Sequence, residues 1–270
     1  MAVYADTHIH LYECYELPQA LAGLADRLGR LATAAGGTPE TVDRVALLAE
    51  RKQCAFFRSF HAAGTTRLDG GLELRAGPGP ECVTVWRDGQ PLLFLIAGRQ
   101  IVAAEGLEIL ALTADVRIPD GLPAQDVLAA VRAAGALPVI GWSPGKWFGA
   151  RGRLVSALVA AAEPGALLLG DTRIRPWAWP EPGSMRAGRA RGLRVIAGSD
   201  PLPFAGEERM LGTYGVAWPG RLDAADPARS VREALQRPET EVRLVGRRGG
   251  LLAMVRRTAG NELNRRRERA

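Results

Sequence analysis

Val3-Tyr4-Ala5-Asp6-Thr7-His8-Ile9-His10 decides how the rest of the chain is read. Its apolar start predicts a strand over residues 3–8, and in an extended segment successive side chains alternate faces. Asp6, His8 and His10 are therefore expected to point the same way. The 270 residues include only three histidines, and two of them stand here. Two imidazoles and a carboxylate at one strand end make half of a metal site. The plainer alternative is a polar strand end with incidental histidines.

Outward from this stretch, short apolar runs alternate with amphipathic ones, which predicts an α/β architecture. A helix is expected over 17–35, where Leu21, Leu24, Leu28 and Leu31 fall at helical spacing. A second helix is expected over 41–51 and a strand at Ala55-Phe56-Phe57. Residues 65–105 break the rhythm, with strands at 72–75, 82–87, 91–96 and 100–103, and Asp88-Gly89 as a hairpin signal. This stretch reads as an antiparallel insertion or edge extension, followed by a strand over 107–112. Helices at 124–134, 151–162, 184–191, 225–236 and 251–264 then alternate with strands at 137–142, 166–170, 193–197 and 241–246. Six or more βα units favour a barrel over an open sheet. A doubly wound sheet is the alternative, although no GxGxxG follows the first strand.

An apolar fraction of 47% is that of a chain with a packed core. No run reaches the roughly 18 apolar residues of a membrane helix, and the start lacks a secretory leader. A cytoplasmic protein with no membrane contact is expected. Cys14, Cys54 and Cys82 are odd in number and widely spaced, so they read as buried or neutral thiols and not as a disulfide framework. The net charge is +6, yet Lys52 and Lys146 are the only lysines among 35 basic residues. Arginines gather at the end, in Arg265-Arg266-Arg267-Glu268-Arg269, which reads as a basic tail over 265–270 beyond one domain at 1–264. No aromatic residues interleave with these arginines, so nucleic acid is set aside as a partner in favour of a small anionic substrate. The oligomeric state is not legible.

Parallel α/β folds gather their chemistry beyond the C-terminal strand ends. There stand His8 and His10, Glu108 in an apolar run, Asp171 after Leu167-Leu168-Leu169-Gly170, and Asp200 after Val195-Ile196-Ala197-Gly198-Ser199. Each carboxylate also has a plain reading: Glu108 on a solvent face, Asp171 paired with Arg173 or Arg175, Asp200 in a turn. Gly141-Trp142-Ser143-Pro144-Gly145-Lys146-Trp147 fails the phosphate-loop pattern but places Lys146 near a helix start, where anions are favoured. His61 stands alone after a stretch read as strand.

The order Asp6-Thr7-His8-Ile9-His10, Gly106-Leu107-Glu108, Gly198-Ser199-Asp200 resembles the PHP superfamily, the polymerase and histidinol-phosphatase type of metal-dependent phosphoesterase. The resemblance implies a distorted (β/α)7 TIM-like barrel, metal ions at its mouth and hydrolysis of a phosphate ester. Three positions depart from the pattern. Arg58-Ser59-Phe60-His61 stands where Asp-His is expected after the second strand, Gly141-Trp142 where a histidine is expected, and Pro201-Leu202 follows Ser199-Asp200. Three histidines exclude the family's complete site. What the resemblance leaves is one or two divalent ions, Zn²⁺, Mn²⁺ or Fe²⁺, held by His8, His10, Glu108 and Asp200. Asp6 and Asp171 are then the candidate catalytic carboxylates, and Lys146 and Arg173 the candidates for neutralising an anionic substrate. The alternative is a catalytically degenerate barrel that serves as a binding or assembly module.

Overall fold

Two β-sheets with helices on their outer faces form the molecule. The computed structural model describes residues 1–77 and 79–267. In chain order the elements are β1 (Ala2–Ile9), α1 (Leu17–Ala34), β2 (Val42–Leu48), α2 (Phe56–Ala63), β3 (Thr65–Leu68), β4 (Leu72–Ala76), β5 (Cys82–Arg87), β6 (Gln90–Ile96), β7 (Gly98–Val102) and β8 (Glu108–Leu112). There follow α3 (Ala124–Ala133), β9 (Leu137–Gly141), α4 (Gly149–Ala161), β10 (Leu168–Thr172), α5 (Gly183–Ala190), β11 (Val195–Gly198), β12 (Tyr214–Pro219), α6 (Pro227–Gln236), β13 (Arg243–Gly246) and α7 (Leu251–Arg267).

The larger sheet has the order β13-β12-β1-β2-β6-β5-β4-β3, and the smaller β11-β10-β9-β8-β7. Only β1-β2-β6 and β9-β10-β11 run parallel. Residues 65–96 extend the larger sheet as an antiparallel meander through β3, β4, β5 and β6. Apolar side chains divide into three layers. Leu21, Leu24 and Leu28 of α1 pack with Leu74, Val83 and Leu93 on one outer face. Val127, Val155 and Met185 cover the smaller sheet. Val3, Val45, Ile96, Leu110, Val139, Ile196 and Val216 of the two sheets meet in between, with Val231 and Leu235 of α6.

The α/β class is as expected, but the distorted TIM-like barrel is not seen as a closed ring of strands. Among the described residues no continuous ladder joins the two sheets into a ring; they meet at two seams. At one, Asp200 N donates to His8 O (3.0 Å) and Thr7 Oγ1 to Ala197 O (2.8 Å). At the other, Glu50 and Arg99 form a single parallel bridge. Physically, β8 runs antiparallel to β9 and β12 antiparallel to β1, which twice interrupts the parallel βα alternation a barrel needs.

Two further expectations are reversed. Residues 41–51 contain strand β2, not a helix, and the Ala55-Phe56-Phe57 strand is the start of helix α2. Val-Asp-Arg-Val-Ala-Leu-Leu is a short, largely buried run, and periodicity alone does not separate such a strand from a buried helix. Its β-branched Val42 and Val45 favour the strand. Strands β3 and β12 have no counterpart in the sequence reading. Helix α7 runs through Arg267, so it takes in the first positions of the expected tail, and 268–270 lie outside the described residues. Cys82 is buried, Cys54 half-buried and Cys14 exposed. No helix among the described residues is long and apolar enough to cross a membrane.

Candidate functional site

Strands β1, β9, β10 and β11 end on one rim. Glu108 reaches it from the other direction: it opens β8, and the pairing of Ile109 with Ile140 sets it beside Gly141, the last residue of β9. The β1–β2 ladder slips between Asp6 and Ile9, three steps on β1 against two on β2. This bulge ends the strict alternation that would align Asp6 with the histidines.

His8 Nε2 and His10 Nε2 lie 3.1 Å apart, and each is 3.6 Å from Asp200 Oδ1. Ligand atoms about 2.0–2.2 Å from a shared tetrahedral ion are about 3.4 Å from one another. The three atoms thus form a triangle of the size of one tetrahedral face. Both imidazoles are buried, and Asp200 is 13% exposed. Gly198 makes this approach possible, since a Cβ there would lie 2.4 Å from His8 N. Asp200 adopts φ 47°, a left-handed conformation that Asp tolerates better than most residues. Its carbonyl accepts from Arg257 Nη2 (2.8 Å), and Arg257 is fixed by the buried Glu207 (2.6 Å). Helix α7 therefore holds the backbone of Asp200.

Burial lowers the pKa of His10, and the neighbouring His8 adds to this against the pull of Asp200 and Glu108. Burial alone raises Asp200, but His8, His10 and Arg257 outweigh it and bring the carboxyl down to about 2. Neutral imidazole and ionised carboxylate are the forms a divalent cation requires. The donor set thus fits a metal in size, and the shifts of His10 and Asp200 favour the forms that bind one. Its outer support is thin: Nδ1 of His8 and Nδ1 of His10 are buried without a hydrogen-bond partner. Partners at that position orient the imidazoles of metal sites.

His10 and Asp200 open onto a cleft of about 420 Å³, whose walls include Tyr12, Arg51, Gln100, Glu108, Lys146 and Asn261. Burial and the negative charge of Asp200 raise the pKa of Tyr12 and keep its hydroxyl protonated.

The remaining candidates are placed as follows. Glu108 lines the cleft but stands outside the three-residue group, its carboxylate paired with Lys146 Nζ. Asp6 accepts from Ser199 N (2.9 Å) and His8 N (3.3 Å) on one oxygen and from Gly212 N (2.8 Å) on the other. It ties β1 to the segments after β11 and before β12, with its acceptors turned to backbone amides and away from the catalytic role expected of it. Burial pushes its pKa up to about 6 against those bonds. Asp171 is enclosed by Arg175 (2.7 and 2.6 Å), Tyr214 (2.9 Å) and the amide of Thr172 (3.0 Å). Arg173 donates to Arg247 O and does not line the cleft. His61 stacks on Phe57 within α2, with ring centroids 5.8 Å apart.

Sequence reasoning missed Tyr12, Arg51, Gln100 and Asn261. Tyr12 follows His10 by two residues and was accessible to the same argument. Arg51 was hidden by the misplaced second strand: the residues after β2 are Ala49-Glu50-Arg51, so Arg58–His61 was compared with the wrong position. Glu50 is buried there, its pKa raised by burial, and it accepts from the amide of Phe57 at the start of α2 (2.8 Å).

No family model and no curated protein matches the chain. Solved structures of similar fold include PsfC from Pseudomonas syringae PB-5123, at 15% identity and TM-score 0.55, with 98% of each chain covered. The lesion-specific endonuclease PfuEndoQ from Pyrococcus furiosus matches at 11% identity and TM-score 0.52; 90% of this chain covers 58% of that one. Endonuclease Q in complex with a 27-mer duplex substrate carrying an abasic lesion matches at 11% identity and TM-score 0.43, over 87% of this chain and 56% of that one. The first two likenesses show a shared fold. The partner expectation, in which nucleic acid was set aside for a small anion, is corrected on the second of them: a lesion-specific endonuclease shares the fold. Absence of aromatics near the C-terminal arginines was too local a criterion, because exposed aromatic residues stand elsewhere, at Phe148, Trp177 and Trp179.

Proposed function

We propose that the protein is a metal-dependent hydrolase of phosphodiester bonds with a nucleic acid as its substrate. The observation that carries this is the convergence of His8 Nε2, His10 Nε2 and Asp200 Oδ1 at 3.1–3.6 Å beside an open cleft. A divalent ion bound there, Zn²⁺, Mn²⁺ or Fe²⁺ by the mixed N/O donors, supplies a Lewis acid and an activated water. The protein's own groups do the rest. His8 and His10 provide imidazole nitrogens, and Asp200 brings a negative charge that partly offsets the cation. Lys146 and Arg51 present positive charge to a phosphate in the cleft. Tyr12, kept protonated, can donate a hydrogen bond to a phosphate or leaving oxygen. Glu108 holds Lys146 in place. The likeness in fold to a lesion-specific endonuclease supports nucleic acid as the substrate class.

The unpartnered Nδ1 atoms favour one second reading, a module that binds nucleic acid without cutting it. One experiment separates the two. Labelled single-stranded and lesion-bearing duplex oligonucleotides are incubated with the Mn²⁺- or Zn²⁺-loaded protein and with Asp200→Asn. The proposal expects chelator-sensitive cleavage that falls at least about 100-fold in the variant, as for a lost ligand rather than a lost outer partner. Binding without cleavage under either metal would establish the module instead.

A further inference from the structure

Three aromatic side chains stand in the open beside the rim: Trp177 is 69% exposed, Phe148 51% and Trp179 37%. Single exposed apolar residues are ordinary, but a contiguous set marks an interaction surface. Phe148 and Trp179 are in contact, and Trp177 precedes Trp179 by two residues on the same loop. The ring of Trp179 lies 6.2 Å from that of Phe148 and 6.4 Å from that of Trp142, which is buried just past the end of β9. An aromatic series thus leads outward from the rim.

The backbone beneath the rings is fixed. Arg175, held on Asp171, donates Nη1 to Trp179 O (3.1 Å) and Pro180 O (3.4 Å). Arg248 donates to Trp177 O (3.3 Å), and Trp177 N donates to Gly249 O (2.9 Å). Pro176 and Pro180 bracket the two tryptophans. A loop that is clamped while its indoles face water is preorganised for a flat ligand. The buried Asp171–Arg175–Tyr214 group thereby acquires a purpose that a catalytic reading does not supply.

Position and charge identify the ligand. Ile174 and Lys146 line the cleft, and the aromatic residues begin three positions after the one and two after the other. Helix α4 starts directly after Phe148, with no acidic residue in its first turn and with Arg151 and Arg153 exposed at its start. Cations at a helix N-terminus oppose the dipole, so the spot favours an anion. Flat rings beside cations match a strand of bases on a phosphate backbone.

We propose that Phe148, Trp177 and Trp179 form a stacking platform for unpaired bases of a nucleic-acid strand, with Arg151 and Arg153 facing its phosphates. This rests on the reading of the cleft as a phosphodiester site and names the form in which the substrate is held.

The test measures binding of a fluorescein-labelled oligothymidylate to the full chain in chelator, by anisotropy. Trp177→Ala and Trp179→Ala are each expected to weaken binding roughly 5- to 150-fold. Trp177→Phe, which keeps a stacking face, should restore most of the loss. The double variant Arg151→Ala, Arg153→Ala should flatten the dependence of log K on log salt by about 0.7 for each phosphate no longer neutralised. Thermal melts confirm folding, and the exposed Trp177 makes its variants the decisive ones. Unchanged affinity in both alanine variants overturns the platform, as does a preference for a neutral oligosaccharide. If the wild type binds through its tryptophans but cleaves nothing, the platform stands and the hydrolase reading fails. If it cleaves with an unaltered KM in the tryptophan variants, the reverse holds.

Discussion

Strands β10 and β11 are neighbours in one sheet, and each runs through a glycine to an aspartate at the same rim. Their outcomes are opposite. Asp171 is surrounded by the Arg175 guanidinium, the Tyr214 hydroxyl and the Thr172 amide, so its acceptor capacity is filled from within the protein. Asp200 turns its Oδ1 toward two imidazole nitrogens that it does not saturate, at the edge of a cleft. A buried carboxylate thus signals chemistry by what it leaves unfilled. A fully satisfied one fixes structure, here the loop that carries Trp177 and Trp179.

The open side of this contrast should give the greatest change. The double variant His8→Ala, His10→Ala should retain no metal, and oligonucleotide cleavage should drop more than about 100-fold, read by end-labelled gel assay. Next comes the closed side. Arg175→Ala strands Asp171 as a buried charge and should cost about 3–5 kcal/mol in urea unfolding, with metal content per folded chain unchanged. A parallel fall in metal content would erase the distinction between the two aspartates. Asp6→Asn sets an amide NH2 against backbone N–H donors at one of its two oxygen positions and should cost about 1–3 kcal/mol by the same measurement. Gly198→Ala forces β11 from β1 and should cost about 1–3 kcal/mol as overpacking, with weakened metal retention because His8 is displaced. Smallest is Lys146→Met. It removes one partner of a partly exposed ion pair, so its effect on stability should stay within about 1 kcal/mol.

Local chemistry was legible in the sequence where it depended on near neighbours. His8 lies in β1 and His10 directly after its end, so two side chains only two positions apart reach the same rim. Asp88-Gly89 takes φ values of 51° and 74°, the pair of left-handed residues a two-residue hairpin requires. Asp200 could be nominated because an apolar strand runs into Gly198-Ser199. Direction and pairing were not legible. Nothing near Glu108 shows that β8 runs against β9, or that Lys146 will occupy its carboxylate. Val42–Leu48 and Phe56–Ala63 exchanged identities because short apolar runs fit either period. The exposure of Trp177 and Trp179 depends on Arg175 and Arg248 pulling their carbonyls inward, and Arg248 is 71 residues distant from Trp177.

Metal content of the folded chain discriminates most sharply between the two aspartates. Wild type, Asp200→Asn and Asp171→Asn are loaded with Zn²⁺ or Mn²⁺, desalted and measured by inductively coupled plasma mass spectrometry. The arrangement of His8, His10 and Asp200 predicts about one ion per wild-type chain, as one tetrahedral face can hold, with loss in Asp200→Asn and retention in Asp171→Asn. No ion in the wild type, or equal content in the two variants, would contradict it.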